Sequence, residues 1–391
     1  MRPRLDASLL TAGAMRPAAI TQRNTALKVT RVLAAECKLP VAKPIRLGPV
    51  EIVTRDFVAL RLETDSGVRG EAISYSRGTA LLESVAKLAP HIMGTEVQYR
   101  RRTMDGVLQR FVNGRAGFIR AASLLDIALW DLAAKEVQLP LYRMLGGYRT
   151  QVPVMVVAGY YLDSRSVDDV ISEVKSLVNE GYQRIKVMIS GTNPRFDEQL
   201  IEGAKAVAGN RLCADAHWAF RNVADAYATC RLLEKYDLTF IEDPFAPYQS
   251  DLNIELRRLL RTPLAYGEDL PDGQTLHSAI NSTEYLRLDA TTCGGVSQAI
   301  ASAEEAGIRG RSVLPHVFLP LHAQLAGSLQ AIDAVEYIPV STRACPMFEL
   351  LARTPKIEAG MLTIDEAPGA GFELDWSEVE RTKSSVFREE Q

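Results

Sequence analysis

Four acidic residues each follow a short β-like run and recur along the chain at similar intervals. Asp215 ends RLCAD, Glu242 ends TFIE, Glu268 follows LAYG, and Asp289 ends YLRLD, with steps of 27, 26 and 21 residues between them. A single carboxylate at a strand end usually caps the helix that follows. Three or four of them in successive repeats instead predict a metal site.

The same spacing extends to residues that carry or exchange protons. Lys186 lies 29 residues before Asp215, His316 lies 27 residues after Asp289, and Glu336 follows His316 by 20. His316 comes directly after the apolar run SVLP, where a histidine is either a buried, hydrogen-bonded residue or a general base. Glu336, in AVEYIP, is either a polar strand end or a functional carboxylate.

These intervals match one strand, one helix and two loops. In the helical segment after Ser166, that serine is a plausible N-cap and Gly181 lies just beyond the end. Strict alternation over ~190 residues predicts a parallel sheet that can close into a (β/α)8 barrel. The alternative, an open doubly wound sheet, would not bring so many strand ends to one point. Strands are predicted near 153–159, 183–188, 211–215, 238–242, 264–267, 284–289, 312–315 and 334–337.

A chain of 391 residues exceeds the usual size of a single core, so two domains are expected. The predicted fold class is α/β: a (β/α)8-type, TIM-like barrel with an N-terminal α+β capping domain that the C-terminal tail completes. The capping domain contains a hairpin signal, DSG. The predicted boundaries are a disordered N-terminal extension at 1–26, the capping domain at 27–150, the barrel at 151–345, and at 346–391 a segment that packs back on the capping domain.

Composition excludes several classes of function. Hydrophobic residues make up 47% and charged residues 24%, as in ordinary globular proteins. A net charge of −3 gives no basic footprint for nucleic acid, and no run of ~18 apolar residues predicts a membrane span. The five cysteines are odd in number and lack CxxC spacing, which predicts reduced cytoplasmic thiols. The expected partners are small molecules or further copies of the chain.

The ordered set of motifs resembles the enolase superfamily, specifically its mandelate racemase-like subgroup of acid-sugar dehydratases and racemases. The resemblance covers roughly residues 27–380. Its motifs are LDIALWDLAAKEVQLPLYRMLGG at the end of the capping domain, GYQRIKVM on the second barrel strand, Asp215, Glu242 and Glu268 on the next three, Asp289 with the glycines at 294–295, His316 on the seventh, and Glu336 on the eighth.

The resemblance implies that a base removes the proton α to a carboxylate while a divalent cation holds the resulting enediolate. Asp215, Glu242 and Glu268 would bind Mg²⁺, whose preferred ligands are oxygens. His316 would be the base, with Asp289 orienting its ring and keeping it basic.

Other residues would support this step. Lys186 would add positive charge near the substrate carboxylate, and Glu336 would contact the carboxylate or enediolate. The capping domain would close over the barrel mouth through loops near 37–50 and 72–78. Strand alternation turns Asp243 away from the mouth, which predicts a supporting role. Resembling proteins are usually homo-oligomers, so a homo-oligomer is expected.

The second barrel strand departs from the family pattern. Many members carry Lys-x-Lys there, and the second lysine is a base on the face opposite the histidine. Aligned on Gly181, this chain has Lys186 at the first position and Met188 at the second, and a thioether cannot accept the proton. A register slipped by two residues would pair Arg184 with Lys186 and make Lys186 the base. The first register is preferred.

A second departure supports that register. His217 stands two residues after Asp215, and an Asp-x-His at this point occurs among dehydratases of the galactonate and mannonate type, where the histidine can protonate the departing hydroxyl. Those relatives also tend to lack the second lysine. The alternative is that His217 is a polar loop residue stacked near Trp218.

The predicted function is therefore a Mg²⁺-dependent hydro-lyase that converts a sugar acid, an aldonate or aldarate, to a 2-keto-3-deoxy acid. A racemase or epimerase of a 2-hydroxy acid, or another lyase or cycloisomerase on this scaffold, is the alternative. A sugar-binding or regulatory protein that kept the fold is a third possibility.

Overall fold

The computed structural model describes residues 26–47 and 50–391. Residues 1–25 of the extension expected at 1–26 therefore lie outside the described residues. The capping domain begins with a three-stranded antiparallel meander followed by helices. The hairpin predicted from DSG is confirmed, because β2 pairs with β3 across it. The elements are β1 (Val29–Leu47), β2 (Val50–Thr64), β3 (Arg69–Tyr75), α1 (Leu81–Leu88), α2 (Arg100–Arg110), α3 (Arg115–Glu136) and α4 (Leu141–Met144).

Eight parallel strands and seven helices then alternate, and each strand overlaps one of the eight predicted. The strands are β4 (Gln151–Ala158), β5 (Arg184–Met188), β6 (Leu212–Asp215), β7 (Ile241–Glu242), β8 (Leu264–Tyr266), β9 (Tyr285–Leu288), β10 (Ser312–Pro315) and β11 (Val335–Tyr337). The helices are α5 (Val167–Asn179), α6 (Pro194–Ala208), α7 (Val223–Leu233), α8 (Ser250–Leu259), α9 (Gly273–Ser282), α10 (Gly295–Ile308) and α11 (Leu319–Ala326).

The parallel strands pair in chain order from β4 to β10. On the other side of β4, β11 pairs with β4, and an isolated bridge joins Val313 of β10 to Ile332, just before β11. The predicted N-cap of α5 is confirmed: Ser166 forms a capping box with Asp169, and Gly181, with φ +94°, follows the helix end. Each barrel helix thus returns the chain to begin the next strand at the same end, which brings the strand carboxyl ends together.

Helix α3 connects the two domains. The stretch from Ala121 to Ala134 is buried between the capping sheet and α10. At the start of α10, the Ser123 hydroxyl accepts a hydrogen bond from the Gly294 amide (2.9 Å) and the Asp126 carboxylate accepts one from the Ser297 amide (3.0 Å). A Cβ at Gly295 would lie 2.3 Å from that carboxylate, so only glycine permits this contact. The LDIALWD motif therefore anchors the capping domain beside the loop that carries Asp289.

The C-terminal segment contacts both domains. The hairpin β12 (Lys356–Glu358) and β13 (Met361–Thr363) extends the barrel sheet antiparallel to β4. Helix α12 (Trp376–Thr382) leads into β14 (Lys383–Glu390), which pairs antiparallel with β1 and gives the capping sheet the order β14-β1-β2-β3. The described helices include none with the length and apolar character that crossing a bilayer requires.

Candidate active site

The residues predicted to form the site lie at the carboxyl ends of the barrel strands. In the parallel register, Met188 is level with Asp215, and Asp215 is level with Glu242. Asp289 and His316 immediately follow β9 and β10, so these side chains start from adjacent strand ends. A cleft of about 330 Å³ opens there, a volume that includes its mouth. Its lining consists of Arg55, Tyr75, Arg77, Tyr160, Lys186, His217, Glu268, His316, Val317, Glu336 and Ile338.

Three buried carboxylates form an acidic cluster close enough to hold a metal ion. Oxygens of Glu242, Asp243 and Glu268 all lie within 4.8 Å of one another. Burial, together with repulsion from neighbouring carboxylates, raises the pKa of Glu242 to about 7 and that of Glu268 well above its ordinary value. The Oε2 atom of Glu242 is buried without a hydrogen-bond partner. A hard divalent cation would satisfy that oxygen and relieve the repulsion, so this donor set fits Mg²⁺.

The position of Asp243 differs from the expectation based on strand alternation. Strand β7 ends at Glu242, and Asp243 takes a left-handed backbone conformation with φ +41°. Because the extended geometry ends there, its side chain turns toward the cluster instead of away from it. Its Oδ2 accepts a hydrogen bond from the Trp218 indole nitrogen (3.2 Å).

Asp215 contacts two cationic or polar partners. Its Oδ2 lies 2.8 Å from Lys186 Nζ, and its Oδ1 lies 2.8 Å from His217 Nδ1. Burial acts to raise the pKa of Asp215, but His217 and Lys186 outweigh burial and hold the pKa well below its ordinary value. Asp215 is therefore held as a carboxylate beside Glu242.

Lys186 lies on the interior of the barrel against three carboxylates. Its Nζ is 2.8 Å from Asp215, 2.7 Å from Glu242 and 2.7 Å from Glu336. Burial acts to lower the pKa of Lys186, but these neighbours raise it well above the ordinary value. Arg184 lies at the opposite end of β5, with its guanidinium 3.7 Å from Asp333.

Arg287 is a fully buried second cation that the sequence analysis did not assign. Its guanidinium lies 2.9 Å from Glu242 and 3.5 Å from Glu268, and it also pairs with Glu336. It donates a further hydrogen bond to the Leu314 carbonyl (2.7 Å). Its position in YLRLD was a usable signal: a residue two before Asp289 on the same strand faces the same side, so a charged residue there belongs to the interior.

His316 and Asp289 form a buried pair. His316 Nδ1 lies 2.9 Å from Asp289 Oδ2, and Nε2 lies 3.5 Å from Glu268 Oε1. Burial and the nearby cations Arg77, Arg287 and Lys186 lower the pKa of His316 well below its ordinary value. His316 is therefore neutral, with Nδ1 beside Asp289, whose own pKa burial raises to about 7, and with Nε2 on the cleft side.

His217 occupies a strained turn at the edge of the cleft. Both His217 (φ +42°) and Trp218 (φ +59°) adopt left-handed conformations, which non-glycine residues rarely adopt. Their rings are 6.3 Å apart, centroid to centroid, with planes at 61°, so they meet edge to face and the stacking expected for a loop histidine is not formed. The turn directs the ring toward Asp215 and into the cleft lining.

The capping domain supplies three lining residues: Arg55 from β2, Tyr75 at the end of β3, and Arg77 just after it. Tyr75 and Arg77 belong to the segment expected near 72–78. The segment 37–50 differs from the loop expected there, because β1 continues to Leu47 as one arm of a hairpin. Sequence reasoning did not assign Arg55 and Arg77, because which parts of the capping domain face the barrel is not encoded in local spacing, and it did not assign Tyr160, which follows the end of β4.

Models of two protein families match the chain. Residues 29–146 match the N-terminal domain of mandelate racemase / muconate lactonizing enzyme, and residues 169–379 match the enolase C-terminal domain-like family. Arabinonate dehydratase of Saccharolobus solfataricus is 25% identical to this chain, covering 82% of this chain and 88% of the relative. N-succinyl-L-Arg/Lys racemase of Bacillus cereus is 23% identical, covering 89% and 96%.

A solved structure shares the fold. L-Talarate dehydratase from Polaromonas sp. JS666, in a crystal structure with Mg and L-glucarate, superimposes with a TM-score of 0.84 at 24% identity, covering 93% of this chain and all of that one. This similarity confirms the predicted barrel with an N-terminal capping domain. The chain is therefore an enzyme of the enolase superfamily and belongs to its mandelate racemase-like branch.

Proposed function

We propose that the protein is a Mg²⁺-dependent dehydratase of a sugar acid, which removes the α-proton and the 3-hydroxyl to give a 2-keto-3-deoxy acid. The observation that carries this proposal is that a base lies on one side of the cleft and a methionine lies at the position of the opposite base. His316 lies on one side with Asp289 behind it, while Met188 stands at the position of a second base and is absent from the cleft lining. The relatives named as dehydratases are consistent with this reaction.

We assign the metal to Asp215, Glu242 and Glu268. Glu242 and Glu268 belong to the acidic cluster, and Asp215 is level with Glu242 on the next strand. Asp243 lies just beyond the end of β7, where it accepts the Trp218 indole hydrogen bond, and we assign it a supporting position behind Glu242. When bound, Mg²⁺ would supply positive charge against the substrate carboxylate as the α-proton leaves.

The proton transfers are assigned to the two histidines. Neutral His316 takes the α-proton on Nε2, and Asp289 stabilises the imidazolium that forms. The electron pair of the broken C–H bond then forms the C2–C3 double bond as the C3–O bond breaks. His217 gives a proton to the departing hydroxyl, which leaves as water, and the enol tautomerises to the 2-keto acid.

Lys186 and Glu336 act through charge. An ammonium held by three carboxylates stays protonated and cannot accept the α-proton, so Lys186 attracts the substrate carboxylate instead. Glu336 is paired with both Lys186 and Arg287, which lower its pKa against the effect of burial. It is thus ionised and holds these cations in place, a role we prefer to direct contact with an anionic enediolate.

A racemase or epimerase is the second candidate, since one relative is named a racemase. That reaction needs a base on each face of the α-carbon, and Lys186, on the second barrel strand, is the first candidate for the second base. Screening aldonic and aldaric acids with Mg²⁺ for release of 2-keto acid tests the proposal. Turnover without any 2-keto product would refute it.

A further inference from the structure

One buried arginine on the capping side of the cleft lacks a counter-charge. Arg55 is 7% exposed and lines the cleft beside Tyr75, Tyr160 and Ile338. No carboxylate of the described residues lies within 4.0 Å of its guanidinium. Its one described hydrogen bond runs from Nε to the carbonyl of Ala344 (3.1 Å), which leaves the fork of terminal nitrogens without a described protein partner. These nitrogens are not among the buried polar atoms that lack a partner, so they open onto the cleft, where an anion could meet a charge that the described residues leave unpaired.

The other arginines around the site make the contrast clear. Arg287 contacts three carboxylates, Arg77 contacts Glu268 and Asp269 at 3.7 Å each, and Arg120 contacts Asp269 at 2.7 Å. Their positive charges are balanced by the protein itself. Among the cleft-lining arginines, Arg55 is the one whose charge the described residues leave unbalanced.

The Tyr75 ring lies between Arg55 and residues of the proposed catalytic site. The guanidinium carbons of Arg55 and Arg77 each lie 5.3 Å from the Tyr75 ring centroid. The His316 ring is 6.3 Å from the same centroid, and Arg77 reaches the metal-site residue Glu268. Arg55 lies beyond this ring, next to Ala344. Arg55 and His316 thus lie around the same tyrosine in one cleft, so a substrate whose α-carbon faces His316 could place its far end against Arg55.

We infer that Arg55 binds a second carboxylate at the distal end of the substrate, so that the substrate is a dicarboxylic sugar acid, an aldarate. The planar guanidinium fork matches a carboxylate with two parallel hydrogen bonds, whereas a terminal hydroxyl would leave the charge unpaired. This inference rests on the proposed dehydratase function and narrows it to diacids.

The experiment compares matched pairs of acids that differ only at the terminal carbon, such as galactarate with galactonate and glucarate with gluconate. The full chain with Mg²⁺ is assayed for 2-keto acid release, and the readout is the ratio of kcat/KM for diacid over monoacid. We expect this ratio to be about tenfold to a hundredfold, because one charge-assisted pair of hydrogen bonds contributes roughly that factor to binding. Arg55→Met should bring it close to one, and Arg55→Lys should restore part of it.

Arg61→Met is the matched control. Arg61 lies on the same strand but pairs with Glu71 and the Trp376 ring, so its loss should leave the selectivity ratio unchanged. Dehydration of an aldonate as efficient as that of its matched aldarate would overturn the inference and leave the dehydratase proposal standing. Absence of 2-keto product from every acid would instead overturn the dehydratase proposal. The comparison of diacid with monoacid on the wild-type protein tests the inference even if a variant fails to fold.

Discussion

Lys186 and Arg287 hold the same oxygen of Glu242. Lys186 Nζ lies 2.7 Å and Arg287 Nε lies 2.9 Å from Oε1, while Oε2 is buried without a partner. The same two cations also share Glu336. This network positions Glu242 from behind and leaves its second oxygen for a ligand in the site.

The network predicts that Arg287 is a structural requirement. Arg287→Met should lower the free energy of unfolding by about 3–5 kcal/mol, because it leaves buried carboxylates uncompensated. Chemical denaturation in EDTA measures the loss. Arg184→Met is the control: the pair of Arg184 with Asp333 is partly exposed, and its removal should cost about 1 kcal/mol or less. Equal effects of the two changes would show that Arg287 has no special role.

Metal binding should depend unequally on the acidic residues. Glu242→Gln should abolish turnover and weaken Mg²⁺ binding, since it removes a charged ligand oxygen. Asp215→Asn should weaken Mg²⁺ binding more than Asp243→Asn, because Asp215 ends its strand level with Glu242 whereas Asp243 lies beyond the end of β7. Titration calorimetry with Mg²⁺ on EDTA-treated protein measures these differences. The ligand assignment fails if Asp243→Asn has the larger effect, and the metal proposal fails if EDTA-treated protein keeps full activity.

The base assignment predicts the behaviour of the α-proton. His316→Asn should reduce both turnover and exchange of this proton with D₂O by roughly 10²- to 10⁴-fold. Asp289→Asn should lower both rates as well, because the ring loses the partner that fixes its orientation and stabilises its protonated form. NMR of the substrate in D₂O follows the exchange. Persistent exchange in His316→Asn would assign the base elsewhere, first to Lys186.

Lys186 should contribute through charge. Lys186→Met should reduce kcat/KM by about 10²- to 10³-fold, as when one electrostatic donor is lost. Exchange at the α-carbon should fall in parallel with turnover, because both pass through the same anion. If Lys186→Met instead abolished exchange from one substrate stereoisomer alone, Lys186 would be a base for that face.

Much of this arrangement is readable from sequence, because the barrel is periodic. The spacing from Lys186 to Glu336 predicted seven strands, and the apolar run at 153–159 predicted the first; the parallel register then brings their ends together. Asp243 was misplaced because alternation holds only while the strand continues, and β7 ends one residue earlier. Arg55 could not be placed, because its surroundings depend on how the capping domain docks on the barrel.

The most direct test of the account is the fate of the α-carbon in D₂O with Mg²⁺. The wild-type enzyme should release a 2-keto-3-deoxy acid, and recovered substrate should keep its configuration, since only the His316 face exchanges. His217→Asn should keep α-exchange while losing most of the elimination, because only the second step needs its proton. Interconversion of two stereoisomers at the α-carbon without any 2-keto product would contradict the account and assign a second base to Lys186.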